Sequence, residues 1–206
     1  MSPTASSSTR HALIDTDIGA LTVVHDDDGL AGIYFPGHWT KPKPAVFGTR
    51  TSPREFAQIT EQLHEYFAGR LRAFDVQLAP APSPRAERMR AALCALPYGA
   101  TASYGELART MGITAREVGA LNAHNPVSIV VPCHRVIGAD AKLVGYAGGL
   151  ERKQRLLVLE GRCRTHPRCG DSANPHISAH TWVTASPAPV ARADTETQSS
   201  QPGVSR

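Results

Sequence analysis

The sequence predicts an α/β N-terminal domain followed by a mainly α-helical C-terminal domain with a helix-turn-helix, and a disordered C-terminal tail. Three observations carry this. The early part of the chain alternates β-rich runs with an Asp-Gly turn and one amphipathic helix. A stiff proline-rich segment, Ala79 to Pro84, then interrupts it. Beyond that segment come short helical runs with legible caps, until residues 162–206 turn Pro/Ser/Thr/Ala-rich and too poor in apolar residues to pack. The boundaries are a disordered start over 1–13, an α/β domain over 14–79, a linker over 80–85, a helical domain over 86–161 and a tail over 162–206.

Composition is compatible with this layout. The chain has 206 residues, 41% of them hydrophobic, enough for a packed core. No apolar run approaches the ~18 residues of a membrane span, and the Ser/Thr-rich start lacks the apolar core of a signal peptide, which predicts a cytoplasmic protein. Four cysteines (Cys94, Cys133, Cys163 and Cys169) are too few and too unevenly placed for a disulfide framework. The net charge is +4, and the excess of Lys/Arg lies beyond residue 84. A basic segment beside an acidic one suits a polyanion such as DNA.

Taken in order, Gly19 to Val24 and Leu30 to Phe35 bracket Asp26, Asp27, Asp28 and Gly29 and read as a hairpin, with the three acids as solvated turn residues rather than metal ligands. Ser52-Pro53-Arg54-Glu55 is a capping box that opens a helix, whose apolar face is Phe56, Ile59, Leu63 and Tyr66/Phe67 and whose end is Gly69. Phe74 to Leu78 returns as a strand. After the linker a helix spans roughly Ala86 to Leu96, polar at its Arg85–Arg90 start, with Cys94 read as a small core residue. Ser103 with Glu106 opens the next helix, which Gly112 closes; Thr114 with Glu117 opens a second, with Ile113 and Val118 as a hydrophobic staple. This pair is the helix-turn-helix. Its second helix carries Gly119, Ala120 and Ala123 but few long polar side chains, so it can approach a DNA backbone while offering little to base edges. Leu150 to Glu160 is a final amphipathic helix, with Leu150, Leu156, Leu157 and Leu159 for packing and Glu151/Arg155 as an exposed pair. Glu160 at its end opposes the helix dipole, which hints at another use.

The chemistry concentrates in Pro132-Cys133-His134-Arg135-Val136. A free thiol with a pKa of roughly 8.5 needs a base or a positive field to become a nucleophile, and His134 and Arg135 are the residue types that supply one. Neighbours on an extended chain point opposite ways, so His134 can act through a water. Cys163, His166, Cys169, His176 and His180 cluster in the tail without a closed zinc spacing, and no metal or cofactor is expected.

Asn125-Pro126, the mostly apolar run to Val131 and the Pro-Cys-His-Arg-Val element together resemble the active-site signature of the O6-alkylguanine-DNA alkyltransferases, the methylated-DNA–protein-cysteine methyltransferases, and the likeness extends from about Ile14 to Gly161. The resemblance implies irreversible, single-turnover transfer of a methyl or alkyl group from guanine O6, with O4-methylthymine as a second candidate lesion, to Cys133. It implies that His134 withdraws the thiol proton through a water, that Glu160 orients the imidazole, and that Asn125 ties the recognition helix to the active-site turn. Arg116 looks like the arginine that fills the gap left by a flipped nucleotide, beside Gly119 and Ala120. Tyr104 looks like the tyrosine that crowds the phosphate and donates toward the base, and Tyr146, with Ala147 and Val136, like the pocket wall. The partner is double-stranded DNA carrying alkylated bases, met by a monomer that needs no protein partner. Two other readings compete: a non-enzymatic lesion sensor of the alkyltransferase-like type, which lacks the cysteine that this chain has, and a cysteine hydrolase, which leaves the helix-turn-helix without a purpose.

Overall fold

The computed structural model describes residues 9–161. The hairpin forms as expected from β2 (Leu21–Asp26) and β3 (Gly29–Tyr34), and its tip is held by Asp26 Oδ1, which accepts from the Asp28 and Gly29 amides. A strand was also missed. β1 (Arg10–Ile14) pairs antiparallel with β2, so the ordered chain begins before the expected boundary at Ile14. Its Ala12 and Ile14 point into the core while Arg10 and Leu13 face out, a period-two pattern hidden beside the Ser/Thr run that precedes it. β4 (Thr49–Arg50) adds a short parallel edge, giving the sheet order β3-β2-β1-β4.

Ser52 caps the next helix, but as the start of a 3-10 turn over Pro53–Phe56 in which its side chain accepts from the Arg54 amide. Glu55, expected to reach back to the cap, bonds Arg10 instead at 3.3 Å. α1 (Ala57–Phe67) follows and buries Ile59, Leu63 and Tyr66.

The expected strand at Phe74–Leu78 does not form. Only Leu30 N to Gln77 O (2.9 Å) and Ala79 N to Leu30 O (3.0 Å) join it to β3, because the next stretch of that edge is occupied by another segment. Ile33 N donates to Pro126 O at 2.8 Å, and Ser128 N donates to Ile33 O at 3.3 Å. The free edge of the N-terminal sheet therefore anchors the chain that leads into Cys133.

α2 (Pro84–Cys94) starts inside the expected linker, capped by Ser83. Its polar start is a brace: Arg85 pairs with Glu117, Arg88 donates to Met111 O and Arg90 to Ala79 O. Cys94 is exposed, contrary to its reading as a core residue, because the buried positions of α2 are Met89 and Leu93. β5 (Ala102–Ser103) precedes α3 (Tyr104–Met111), and α4 (Ala115–Ala123) follows after the left-handed Gly112. Both capping boxes form in full, each worth about 1 kcal/mol to a helix this short.

β6 (Val136–Ile137) pairs with β5, and α5 (Leu150–Leu159) ends the described chain. The packing stripe of α5 is shifted from the expected one. Leu150 is 48% exposed, Lys153 takes the inward position, and Arg155 bonds Asp17 O rather than Glu151. One core unites Leu21, Leu30 and Ile33 of the sheet with Leu63 of α1, Leu93 of α2, Val118 of α4 and Leu156 of α5. Among the described residues no helix is long and apolar enough to cross a membrane. The expected tail and its Cys/His cluster lie outside the described residues.

Candidate functional site

The turn that carries Cys133 is fixed before the side chains of the site are considered. Ile129 sits at φ 76°, a left-handed conformation that a β-branched residue adopts only when its surroundings impose it. Asn125 imposes it here: its Nδ2 donates to Val131 O (3.0 Å) and Val127 O (3.4 Å), while its Oδ1 accepts from the Val127 amide (3.2 Å). The chain then closes into a 3-10 turn over Cys133–Arg135, with all three side chains buried.

His134 and Glu160 meet, the pairing that the resemblance implies. His134 Nε2 lies 2.9 Å from Glu160 Oε1, and both side chains are fully buried. The carboxylate is the centre of a larger arrangement. Its oxygens also accept from Tyr66 Oη (2.8 Å), Arg135 Nε (2.8 Å), Arg135 Nη2 (2.9 Å) and the Gly99 amide (3.1 Å). Burial by itself would raise the Glu160 carboxyl, but the bonds from His134 and Arg135 outweigh it and hold the group well below the usual carboxylate range. Gly99 is needed for this: at φ 74° it approaches so closely that a Cβ would stand 2.8 Å from Glu160 O.

An ionised acceptor fixes the tautomer of its donor. His134 must carry its proton on Nε2, which leaves Nδ1 a lone pair, and Nδ1 is buried without a hydrogen-bond partner among the described residues. Burial lowers the His134 pKa against the opposing pull of Glu160, so the imidazole rests neutral. Burial also pushes the Cys133 thiol up, opposed by Asn125 and by the charge of Lys153. Cys133 and His134 thus both rest neutral.

Arg135 does not serve the sulfur as its position in sequence suggested. It faces Glu160, donates to Leu96 O at 2.6 Å and lies over the Tyr98 ring. The cation near Cys133 is Lys153 of α5, whose Nζ donates to Val136 O (2.5 Å), Val144 O (2.6 Å) and Gly145 O (3.3 Å) and whose pKa is lowered by burial to about 8.

Of the remaining expected residues, Tyr104 donates to Gly145 O at 3.3 Å, and Tyr146 packs edge-on against Phe35 with its hydroxyl buried. Ala147 is buried and its carbonyl accepts from the Trp39 amide; Val136 is buried in β6. Gly148 lets Phe35 approach, since a Cβ there would fall 2.5 Å from that ring. Arg116 and Ala120 are exposed and Gly119 half-buried on α4, set apart from the buried group around Glu160. A hollow of about 450 Å³ beside Asp17, Phe67 and α5 contains none of these residues.

Residues 84–162 match the family described as 6-O-methylguanine DNA methyltransferase, DNA binding domain, and residues 9–80 match its ribonuclease-like domain. The chain belongs to the 6-O-methylguanine DNA methyltransferase family. It is 48% identical over 155 residues to the methylated-DNA–protein-cysteine methyltransferase of Mycolicibacterium paratuberculosis, covering 74% of this chain and 93% of that one. The protein of the same name from Methanosarcina acetivorans is 42% identical over 156 residues, covering 74% and 99%. Among solved structures, Mycobacterium tuberculosis OGT in complex with DNA aligns with a TM-score of 0.68 at 41% identity, over 74% of this chain and 93% of that one.

Within this family member, sequence reasoning missed four residues of the site. Tyr66 reads in the sequence as part of the apolar helix face, and Arg135 as a charge for the sulfur, whereas both bond Glu160. Asn122 of α4 donates to Cys133 O at 3.2 Å and is the direct tie from that helix to the cysteine turn, alongside Asn125. Lys153 falls on the same stripe as Leu156, Leu157 and Glu160. A charge on an apolar stripe, at helical spacing, was the available signal for Lys153, and a polar amide on such a stripe, four residues after Val118, was the signal for Asn122.

Proposed function

We propose that this chain repairs alkylated duplex DNA by one irreversible transfer of the alkyl group from guanine O6 to Cys133. The observation that carries the reading is the His134–Glu160 hydrogen bond, because it leaves Nδ1 of a buried neutral imidazole as a base next to the cysteine turn. The thiol proton passes to Nδ1 through a bridging water, and ionised Glu160 stabilises the imidazolium that results. The thiolate sulfur attacks the alkyl carbon, the carbon–O6 bond breaks, and the guanine leaves with its electron pair. The charge developing on the base is met by the Tyr104 hydroxyl. The product is a thioether, which no group in the site hydrolyses, so each protein molecule acts once.

Guanine O6 is inaccessible inside a duplex, and the base must be rotated out at a cost of a few kcal/mol. In this reading α3 and α4 form a helix-turn-helix in which the small residues Gly119 and Ala120 allow close approach to the DNA. Arg116 occupies the space that the base vacates, and Tyr146 with Ala147 and Val136 encloses the base. Asn125 and Asn122 connect that helix to the sulfur. The family assignment supports this division, as does the presence of a DNA complex among the aligned structures.

The test is intact and peptide mass analysis after incubation with duplex DNA carrying O6-methylguanine. One methyl group is expected on Cys133, stopping at one equivalent, with none on the Cys133→Ala variant. Repeated turnover would indicate a hydrolase, and binding to the lesion without transfer would indicate a sensor.

A further inference from the structure

Arg152 is a half-buried cation to which the transfer reaction, as set out above, gives no task. It stands in the first turn of α5, where the helix dipole disfavours a positive charge, so its place needs another reason. The guanidinium supplies one by bonding carbonyls of three separate segments. Nε donates to Ile18 O (3.2 Å), in the loop between β1 and β2, and Nη1 donates to Pro36 O (3.2 Å), after β3, and to Gly148 O (2.8 Å). Its Cζ also lies 5.3 Å from the centre of the Phe35 ring.

Gly148 belongs to the loop between β6 and α5 that carries Tyr146 and Ala147, and this loop is held at both ends. At its inner end Lys153 Nζ donates to Val144 O and Gly145 O, and the Tyr104 hydroxyl also donates to Gly145 O. At its outer end the bond from Arg152 to Gly148 O is joined by one from the Trp39 amide to Ala147 O (3.2 Å). Phe35 backs the same stretch: its ring stacks on the buried His38, in the loop after β3, and meets Tyr146 edge-on at 6.0 Å. Residue 148 has no room for a side chain between these rings, since a Cβ there would stand 2.5 Å from Phe35 and 2.9 Å from Tyr146. The N-terminal segment thus forms the back of the loop, and Arg152 fastens the two together.

We infer that Arg152 is a positioning residue that straps the pocket loop to the N-terminal segment and thereby limits the size of the alkyl group that the pocket accepts. The inference rests on the alkyl-transfer reading above, in which Tyr146 and Ala147 enclose the flipped base. A guanidinium suits the task because its donors form a planar fork, fixed in one orientation by three acceptors and a ring. With the strap in place, the wall fits a base that carries a methyl group and resists a bulkier one. With it cut, Gly148 O loses this donor and residues 146–148 can swing outward. A large alkyl group then gains room, and a small one loses its placement against the sulfur.

The test measures single-turnover transfer to the full chain from duplex DNA carrying O6-methylguanine, O6-ethylguanine or O6-benzylguanine. The ratio of two rates on one preparation does not depend on how much of it is folded, so a loss of stability alone leaves the ratio unmoved. Arg152→Gln cannot span the three carbonyls, and its rates for the larger groups relative to methyl are expected to rise about fivefold or more. Arg152→Lys keeps the charge but not the fork, and should lie nearer to Arg152→Gln than to wild type. Hydrogen exchange at the Trp39 amide, whose acceptor is on the loop, should quicken in Arg152→Gln about tenfold more than at the Gly99 amide beside Glu160. Rate ratios within about twofold of wild type or lower, or exchange that quickens no more at Trp39 than at Gly99, would overturn the assignment. Wild-type behaviour of Arg152→Lys would also overturn it, and would make the charge, offered to the DNA backbone, the useful property. Wild-type protein separates the two claims: failure to methylate Cys133 removes the reaction itself, whereas normal wild-type transfer with unaffected variants removes only the role of Arg152.

Discussion

In the proposed function the Glu160 centre serves the chemistry and the outer face of α4 serves DNA, and the two are held in opposite ways. Glu160 accepts five hydrogen bonds from four residues on three segments, four of the bonds buried and the one from Gly99 part-buried. Arg116, by contrast, is exposed and has no hydrogen bond or ion pair among the described residues, and around it α4 presents Gly119 and Ala120. The chemistry is assembled before any partner arrives, so it loses no orientation at the moment of reaction. In the proposed function the face of α4 is left incomplete because DNA completes it. Changes at the first region should therefore cost both stability and activity, and changes at the second should cost binding alone.

The largest departure from wild type is expected at Glu160. Glu160→Gln keeps the size of the side chain but strands the Arg135 guanidinium, whose side chain is only 9% exposed and has no other carboxylate partner among the described residues. Breaking a buried pair from one side costs about 3–5 kcal/mol. Thermal denaturation should show a melting temperature lower by roughly 10 °C for a domain of this size. Transfer by the surviving folded protein should fall about a hundredfold, since His134 loses the acceptor that fixes its tautomer. A variant with wild-type stability would mean that Glu160 is not the centre of the interior.

The same centre predicts how stability depends on pH. Among the groups with depressed folded pKa values are His134, His38 at about 4, and Glu160. A depressed value means that the unfolded chain binds the proton first, so each group contributes fully above its unfolded pKa and loses that contribution as pH falls through its folded value. The histidines thus predict falling stability below about pH 6.5, and Glu160 a further fall below about pH 4. Denaturant titrations across pH 3–8 check this. Glu160→Gln should flatten the lower part of the curve, and His38→Gln the upper part.

How much of this was legible differs between the two regions in the same way. The face of α4 was readable because its signals are local: Thr114 and Glu117 mark its start, Gly112 marks the turn, and exposed small residues stay where the helical period puts them. Cys133, His134, Asn125 and Glu160 came from the signature and its spacing. The rest of the interior was not readable, because Tyr66, Gly99 and Arg135 reach Glu160 from distant parts of the chain, and tyrosine on an apolar helix face looks like packing. β1 was lost to its Ser/Thr neighbours. Phe74–Leu78 had strand composition but no free edge, since Pro126 to Ser128 bond β3 where a longer strand would pair. That competition is a tertiary fact, and no local pattern expresses it.

At α4 the expected effects are smaller and fall on DNA. Arg116→Ala should leave unfolding free energy within about 0.5 kcal/mol, as for an exposed side chain without partners. Transfer from duplex O6-methylguanine should drop about tenfold, while transfer from the free alkylated base, which needs no flipping, should stay at the wild-type rate. Equal losses on both substrates would place Arg116 in the chemistry and erase the contrast between the regions.

The finest test is Gly119→Ala, because the two regions predict opposite signs for one methyl group. Gly119 lies inside α4 with ordinary helical geometry, and the nearest atom to an added Cβ is a ring carbon of Tyr104 at 3.9 Å, an ordinary contact. Replacing a helical glycine by alanine without strain stabilises by about 0.5–1 kcal/mol, mainly by narrowing the unfolded ensemble. If the face of α4 were merely packing surface, the substitution would be neutral or favourable in every assay. If glycine is there so that the helix backbone can come close to DNA, the variant should melt a few degrees higher and bind duplex DNA several-fold more weakly. Such a divergence would show that stability at this position has been forgone for contact, and an unchanged affinity would return Gly119 to an ordinary surface position.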